Sequence, residues 1–188
     1  MKILRTPASV ASVTAWDHRA VGKLSLHGCD ILIVERELID LGIGIPASCP
    51  VGDFRAVVTR ADLGSIVASS VRAMGLNCAE LETDIVRLGE SFLSQFRLPE
   101  ADLRVEVVDT ATCPKFHCDN IHIRLVATYS GPMTQYRRTD RPDEVLSPPV
   151  GSLVFLKGYR HVAHDDRILH RSPPLVAGEK RLVVVLDY

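Results

Sequence analysis

The chain has 188 residues, of which 46% are apolar, and its 22 Lys and Arg residues nearly balance its 23 Asp and Glu residues. This length suits one domain with a sizeable core, and the balanced charge gives no electrostatic argument for binding to nucleic acid or to an anionic membrane. Five cysteines without paired spacing favour reduced thiols in the cytoplasm over a disulfide framework, and no apolar run approaches the roughly 20 residues of a membrane-spanning helix.

The first hundred residues are predicted to be mainly helical. The segment Ile31–Leu41 is typical of a helix, although Ile31–Val34 alone is equally typical of a strand. Asp62 is expected to cap a helix over Leu63–Met74 that stops at Gly75. One apolar stripe indicates a second helix, which ends before Pro99. The stripe consists of Leu81, Ile85, Leu88, Phe92 and Phe96.

From residue 101 onward the sequence favours strands and turns. The last predicted strand is a continuous apolar run, which is typical of a strand covered on both faces. The segment Thr139–Pro149 contains three prolines and is predicted to be a loop. We therefore expect one domain over residues 1–188, with a mainly helical part over 1–100 and a strand core over 101–188 that carries the functional site. The predicted strands are Leu103–Val108, Ile121–Tyr129, Leu153–Leu156, Ile168–Arg171 and Arg181–Leu186.

A candidate metal site precedes the second of these strands. His117 and Asp119 are two positions apart, so on an extended backbone both project to one side while Cys118 points away. His170 supplies a second imidazole. Two imidazoles and one carboxylate occupy one face of an octahedral iron and leave the opposite face open for a chelating co-substrate and dioxygen. The pattern therefore predicts an iron site formed by His117, Asp119 and His170.

From His117 to the C-terminus the chain resembles the iron(II)- and 2-oxoglutarate-dependent oxygenases, particularly the prolyl-hydroxylase-like branch. The segments CPKFHCDNIHIRLVATYSGP and HRSPP are also similar to an uncharacterised bacterial family, the domain of unknown function eighteen twenty-six, which supplies no activity. The residues that match the oxygenases are, in chain order, His117-Cys-Asp119-Asn120, Arg124, Thr128-Tyr129, Gly131-Pro-Met-Thr134, Gly151-Ser-Leu-Val-Phe155, His170, Gly178 and Arg181.

This resemblance implies an α+β fold with a double-stranded β-helix core, of the jelly-roll or cupin-like type, and with the N-terminal helices packed on its outside. It implies iron(II) as the metal and 2-oxoglutarate as the co-substrate, with the far carboxylate of 2-oxoglutarate bound by Arg181, eleven residues after His170. A planar guanidinium suits bidentate recognition of a carboxylate. Tyr129 is a second candidate contact for the co-substrate.

The substrate of such an oxygenase would be a small molecule or a protein. The candidates for contact with it are Arg124, Gln135 and Arg171.

Two other functions remain open from the sequence. The same three ligands with a bound water would also suit zinc in a hydrolase, although this leaves Arg181 without a role. A β-helix with an idle metal site would instead act as a binding or regulatory protein.

Overall fold

The computed structural model describes residues 12–13, 16, 18–36, 45 and 48–188. Its helices are α1 (His18–Gly22), α2 (Leu63–Ala73) and α3 (Ala79–Phe96), with a short 3-10 turn at Lys23–Ser25. None of the helices in these ranges is long and apolar enough to cross a membrane. The strands are β1 (Ser12–Val13), β2 (Ile31–Val34), β3 (Gly52–Thr59), β4 (Glu100–Val108), β5 (Ile123–Ser130), β6 (Gln135–Arg138), β7 (Arg141–Leu146), β8 (Leu153–Lys157), β9 (Ile168–Arg171) and β10 (Arg181–Asp187).

Helices α2 and α3 follow the sequence prediction closely. Gly75 has a φ of +67° just after α2, a conformation that costs glycine little, so the predicted stop is confirmed. Helix α3 buries its apolar stripe in the larger of two hydrophobic clusters. Of the predicted segment Ile31–Leu41, Ile31–Val34 is a strand, while residues 37–41 lie outside the described part of the chain.

Seven strands form a mostly antiparallel sheet in the order β1-β2-β8-β5-β10-β4-β3. Strand β10 is paired on both sides, and its residues Arg181 to Leu186 are buried. Leu182, Val184 and Leu186 face the large cluster beneath the helices, whereas Val183 and Val185 face a second cluster on the other side. The expectation of a strand covered on both faces is therefore confirmed.

A second, three-stranded sheet has the order β7-β6-β9 and lies against this other face. Its inward side chains Tyr136 and Ile168 join Val126, Val183 and Val185 in the second cluster. Both sheets contribute to this cluster, so one layer of apolar side chains separates them.

Strands β3, β6 and β7 were not predicted, and the loop prediction for Thr139–Pro149 is wrong over Arg141–Leu146. Strand β7 lies at an edge, its first five residues are exposed, and Pro142 is tolerated there because an edge strand leaves some N–H positions unpaired. Without a buried face, its sequence carries no apolar alternation. Among the described residues before Glu100, α1, α2 and α3 are helical, whereas β1, β2 and the edge strand β3 join the large sheet.

Candidate metal centre and its cavity

Two histidines from distant parts of the chain are joined through their main chains. His117 and His170 exchange two backbone hydrogen bonds, each with an N to O distance of 2.9 Å, and so form an isolated antiparallel bridge. His170 lies in β9, and His117 lies in the segment before β5. Opposed residues in such a bridge project their side chains to the same side, and the two ring centroids are 4.5 Å apart.

Asp119 completes the group. Its Oδ2 lies 3.0 Å from Nε2 of His170, and its Oδ1 lies 3.5 Å from Nε2 of His117. Arg124 donates from Nη1 to the same Oδ2 at 2.6 Å. Asp187 in turn holds Arg124 through two hydrogen bonds, from Nε at 2.7 Å and from Nη2 at 2.6 Å. The orientation of Asp119 is therefore fixed by a chain of charged hydrogen bonds that begins on β10.

The three side chains have the donor atoms that a metal ion requires. One ligand atom from each lies within 4.8 Å of the other two. Nδ1 of His117 is 2.9 Å from the carbonyl oxygen of Lys115. Because a carbonyl only accepts, Nδ1 carries the proton, and Nε2 presents its lone pair toward Asp119.

The protonation states also suit metal binding. Burial by itself would raise the pKa of Asp119, but the hydrogen bond from His170 and the positive charge of Arg124 outweigh it and lower this pKa to about 2. Burial lowers the pKa of His170, an effect that its hydrogen bond to Asp119 only partly offsets. Near neutral pH the site therefore offers an ionised carboxylate and a neutral imidazole at His170, which would bind a metal through Nε2 after the proton shared with Asp119 has left that nitrogen.

Cys118 lies outside this group, as strand parity predicted. Its Sγ is 3.4 Å from Nε2 of His164 and 3.6 Å from the carbonyl oxygen of Lys157. Burial, followed by the charge of Asp119, raises the pKa of its thiol to about 11. The thiol is consequently neutral and turned away from the three ligands.

Arg181 lies in the same cavity as the three ligands and is only 4% exposed. Its Nε donates to the carbonyl oxygen of Pro132 at 2.9 Å, and its Nη2 donates to the hydroxyls of Thr128 at 3.1 Å and Thr134 at 2.9 Å. Burial lowers the pKa of Arg181 to about 10, so the guanidinium still carries its charge at neutral pH.

No carboxylate pairs with Arg181 in the described part of the chain. Asp187 pairs with Arg124, and Glu106, whose charge offsets only part of the effect of burial on the pKa of Arg181, pairs with Arg104. Its Nη1 also has no acceptor among the described residues. A buried, unpaired cation is costly unless a ligand supplies the counter-charge.

The cavity has a volume of about 470 Å³, which is within the range of small-molecule sites. Its floor includes Val126, Val183 and Val185 from the large sheet. The three candidate ligands and Arg181 line the cavity, and its open side includes the exposed first residues of β3, which pair with β4.

The prediction that Tyr129 contacts a co-substrate is wrong. Tyr129 is buried on the opposite face of β5, where its hydroxyl donates to Oδ2 of Asp84 in α3 at 2.6 Å. Arg36 also binds Asp84 and lies over the Tyr129 ring. Strand alternation explains the error, because Arg124, Val126 and Thr128 face the cavity and every residue between them faces the helices.

The three candidate substrate contacts have different positions. Arg124 lines the cavity, but its donors are used by Asp119 and Asp187. Arg171 lines the rim, where its Nε binds Oε1 of Gln135 at 2.8 Å and its guanidinium stacks on Phe116. Gln135 is not part of the cavity wall. Arg124 is thus a positioning residue, and Gln135 contacts Arg171.

Four site residues were not predicted, namely Thr128, Thr134, Asp187 and the carbonyl of Lys115. Thr128 had a usable signal, since it shares the strand parity of Arg124. Asp187 had one as well, because it lies at the end of the strand that begins with Arg181. Thr134 follows a turn that the sequence does not specify.

Gly158 lies so close to the main chain of Asp119 and Ile121 that no side chain fits there. A Cβ there would lie 2.7 Å from the carbonyl oxygen of Asp119 and closer still to that of Ile121. We expect Gly158→Ala to displace this segment, to lower the free energy of unfolding by about 1–3 kcal/mol and to weaken metal binding. Urea unfolding and metal titration measure both effects. Gly64→Ala is the matched control, because its Cβ would meet nothing within 4 Å and the exchange should stabilise α2. Equal stability of the two variants would contradict this role for Gly158.

Comparison with known proteins gives a family and a fold. A family profile described as "Protein of unknown function (DUF1826)" matches residues 67–187, which include all three candidate ligands and Arg181. No curated protein matches the chain.

Several solved structures resemble it at low sequence identity. The dioxygenase for auxin oxidation from rice has a TM-score of 0.56 at 11% identity, covering 95% of this chain and 82% of that one. For dioxygenase for auxin oxidation 1 from Arabidopsis thaliana, in complex with 2-oxoglutarate, the TM-score is 0.52 at 9% identity, with 95% and 92% covered. A protein from Caulobacter crescentus assigned to the 2OG-Fe(II) oxygenase family has a TM-score of 0.51 at 12% identity, with 95% and 86% covered. These likenesses show that the chain shares the fold of such oxygenases.

Proposed function

This chain belongs to the family described as protein of unknown function DUF1826, and we propose that it is an iron(II)- and 2-oxoglutarate-dependent oxygenase. The observation that carries the proposal is Arg181, a buried guanidinium that has no carboxylate partner among the residues the structure describes and that shares one cavity with two histidines and an aspartate. A metal site alone would suit several chemistries. A metal site beside an unpaired buried cation suits a co-substrate that is both a chelator and an anion.

The ligand set fits iron(II). Two imidazole nitrogens and one carboxylate leave the remaining coordination positions of an octahedral metal open on the cavity side. When bound there, iron(II) with 2-oxoglutarate and dioxygen supplies the oxidising power to hydroxylate a C–H bond. Zinc in the same place would leave the unpaired charge of Arg181 unexplained.

The residues of the chain would bind the metal and the co-substrate and orient both. Arg124 holds Asp119 so that Oδ2 faces His170 and Oδ1 faces His117, and the Lys115 carbonyl accepts from Nδ1 of His117 and leaves Nε2 directed into the site. Arg181 would bind the far carboxylate of 2-oxoglutarate through the two N–H groups of Nη1, since Nε and Nη2 are engaged by Pro132, Thr128 and Thr134. Thr134, which also lines the cavity, would hold the same carboxylate. Val126, Val183 and Val185 keep water from the floor of the cavity.

The proposal extends to the architecture. We assign the two facing sheets to a double-stranded β-helix, within one domain over residues 1–188, with α2 and α3 packed on its outer face. The support is the order of the strands and the presence of the ligands between the sheets. We also place the enzyme in the cytoplasm, where its five free cysteines would stay reduced.

The test combines metal analysis with turnover of the co-substrate. Protein purified without oxygen and reconstituted with iron(II) should bind one iron. Once dioxygen is admitted, with ascorbate as the reductant, it should convert 2-oxoglutarate slowly to succinate and carbon dioxide even before a substrate is known. Protein reconstituted with zinc should bind 2-oxoglutarate and release no succinate. Binding of zinc in preference to iron, with no binding of 2-oxoglutarate in either form, would favour the hydrolase instead.

A substitution at Tyr129 tests whether this residue contacts the co-substrate or stabilises the packing of β5 on α3. Burial and the charge of Asp84 raise the pKa of Tyr129, so it stays a hydrogen-bond donor to that carboxylate. We expect Tyr129→Phe to lower the free energy of unfolding by about 1.5–3 kcal/mol, because a buried hydrogen bond to a charged group is lost. The affinity for 2-oxoglutarate, measured calorimetrically with Mn²⁺, should not change. A loss of affinity for 2-oxoglutarate without a loss of stability would indicate that Tyr129 contacts the co-substrate after all.

A further inference from the structure

The cavity has more positive than negative side chains. Five arginines and three carboxylates line it. Loading it with a divalent metal and the dianionic 2-oxoglutarate adds equal and opposite charges, so the excess of positive charge would persist. Clefts lined by one sign of charge concentrate ligands of the other sign.

Two of these arginines form an unusual pair on the open side of the cavity. Arg55 in β3 lies directly opposite Arg104 in β4, and Asp53 lies directly opposite Glu106. Like charges at directly opposed positions of an antiparallel pair are destabilising. A salt-bridge network designed only for stability would place each arginine opposite an acid. This register instead brings two guanidinium groups side by side.

The acids neutralise the pair only in part. Arg55 uses Nε to bind Asp53, and its Nη2 is 3.9 Å from Oε1 of Glu106. Arg104 approaches the same Oε1 through Nε at 3.2 Å. Nη1 of Arg55 and both terminal nitrogens of Arg104 have no hydrogen-bond partner among the described residues. Several charged donors therefore remain available to a ligand.

The pair is positioned to meet a substrate held near the metal. Arg104 lies directly opposite Val185, and Val185 lies directly opposite Val126. These residues therefore form one row of cross-strand neighbours that runs from the two arginines to the valines of the cavity floor. Arg124 and Asp187 form the next row on the same face. Arg55 is 66% exposed and Arg104 is 24% exposed at its side chain, which places one at the rim and one further in.

We propose that Arg55 and Arg104 together bind an anionic group of the substrate, a carboxylate or a phosphate- or sulfate-type oxyanion. The inference rests on the proposed oxygenase function, because only that function makes the bound anion part of a substrate. Iron(II) and 2-oxoglutarate would occupy the other part of the cavity. Two adjacent guanidinium groups suit such a group because each offers parallel N–H donors.

Thermal unfolding in the presence of simple anions tests the site without a known substrate. The protein is melted with Mn²⁺ and saturating 2-oxoglutarate, so that Arg181 is occupied, while sodium acetate or sodium sulfate is raised against sodium chloride of equal ionic strength. A ligand that binds only the folded state raises the unfolding midpoint by an amount that grows with RT ln(1 + L/Kd), where L is the free ligand concentration, so the concentration at which the rise begins reports the apparent affinity. We expect such a rise for the parent, and the more effective anion indicates whether the group is a carboxylate or a tetrahedral oxyanion.

Two variants locate the effect. The double variant Arg55→Gln with Arg104→Gln should weaken the apparent affinity for the anion by about tenfold or more, since it removes hydrogen bonds from two charged donors. Arg72→Gln on α2 is the matched control, and it should respond as the parent does. If the double variant does not fold, Arg55→Gln alone replaces it, because this side chain is largely exposed.

Three results would overturn the proposal. These are a parent that shows no response beyond that to chloride, an equal response in parent and double variant, and a response that disappears only in Arg181→Gln. Failure of the protein to bind 2-oxoglutarate would count against the proposed function alone, because the anion response is then measured without it.

Discussion

Replacing Arg181 with Lys is expected to weaken the binding of 2-oxoglutarate by about 1.5–3 kcal/mol, or roughly tenfold to over a hundredfold. Lysine keeps the positive charge but loses the planar pair of N–H donors that match a carboxylate. Calorimetric titration of the Mn²⁺-loaded protein measures the change. The free energy of unfolding should fall by much less than the free energy of binding does, because within the described residues the guanidinium bonds only to the Pro132 carbonyl and to two threonine hydroxyls, and to no carboxylate.

The competing interpretation is that Arg181 is structural, held by Pro132, Thr128 and Thr134 for the sake of the fold. It predicts the reverse outcome, with a lower unfolding midpoint and an unchanged affinity. Arg72→Lys, at an exposed position, controls for the exchange itself. A parent protein that binds no 2-oxoglutarate with either iron or manganese would end the oxygenase proposal.

Removing any one of the three ligands should abolish stoichiometric iron binding. Loss of a residue that merely supports a metal ligand costs about 10–100-fold in affinity, so loss of a ligand itself is expected to cost at least about 100-fold. His117→Ala, Asp119→Ala and His170→Ala should each show this in metal analysis after anaerobic reconstitution. Succinate formation should disappear with the metal.

Cys118→Ser supplies the control from within the same segment. Its side chain faces away from the site, so iron binding should equal that of the parent. Circular dichroism should show that all four variants are folded. Parental iron affinity in a variant that lacks all three ligands would prove the assignment wrong.

A local pattern was sufficient to predict that His117 and Asp119, two of the three proposed ligands, project to one side of the chain. His117 and Asp119 are two positions apart, and strand parity needs no knowledge of the rest of the fold. The burial of β10 was predictable in the same way, because a continuous apolar run indicates that both faces of a strand are covered. The limits of α2 followed from Asp62, which occupies the N-cap position, and from Gly75, whose positive φ ends the helix. The Asp62 side chain makes no capping hydrogen bond, however, and accepts from the backbone N–H of Thr59 instead.

Features that depend on a partner elsewhere in the chain were not predictable. The hydroxyl of Tyr129 binds Asp84 because a helix covers that face of β5, and nothing near Tyr129 in the sequence indicates this. The opposition of Arg55 and Arg104 depends on the register of β3 with β4. Strand β3 itself had a signal, since Phe54, Ala56 and Val58 alternate with polar or exposed residues, but a run this mixed is weak on its own.

The backbone bridge between His117 and His170 has a thermodynamic consequence. The main chain sets the spacing of these two ligands, and their approach therefore does not await the metal. A zinc finger is unfolded without its ion, so it loses conformational entropy when the ion binds. In this protein the corresponding entropy is lost earlier, when the polypeptide folds. A chelator should accordingly strip the ion and leave the unfolding cooperativity intact, and the emptied protein should rebind iron without a slow refolding phase.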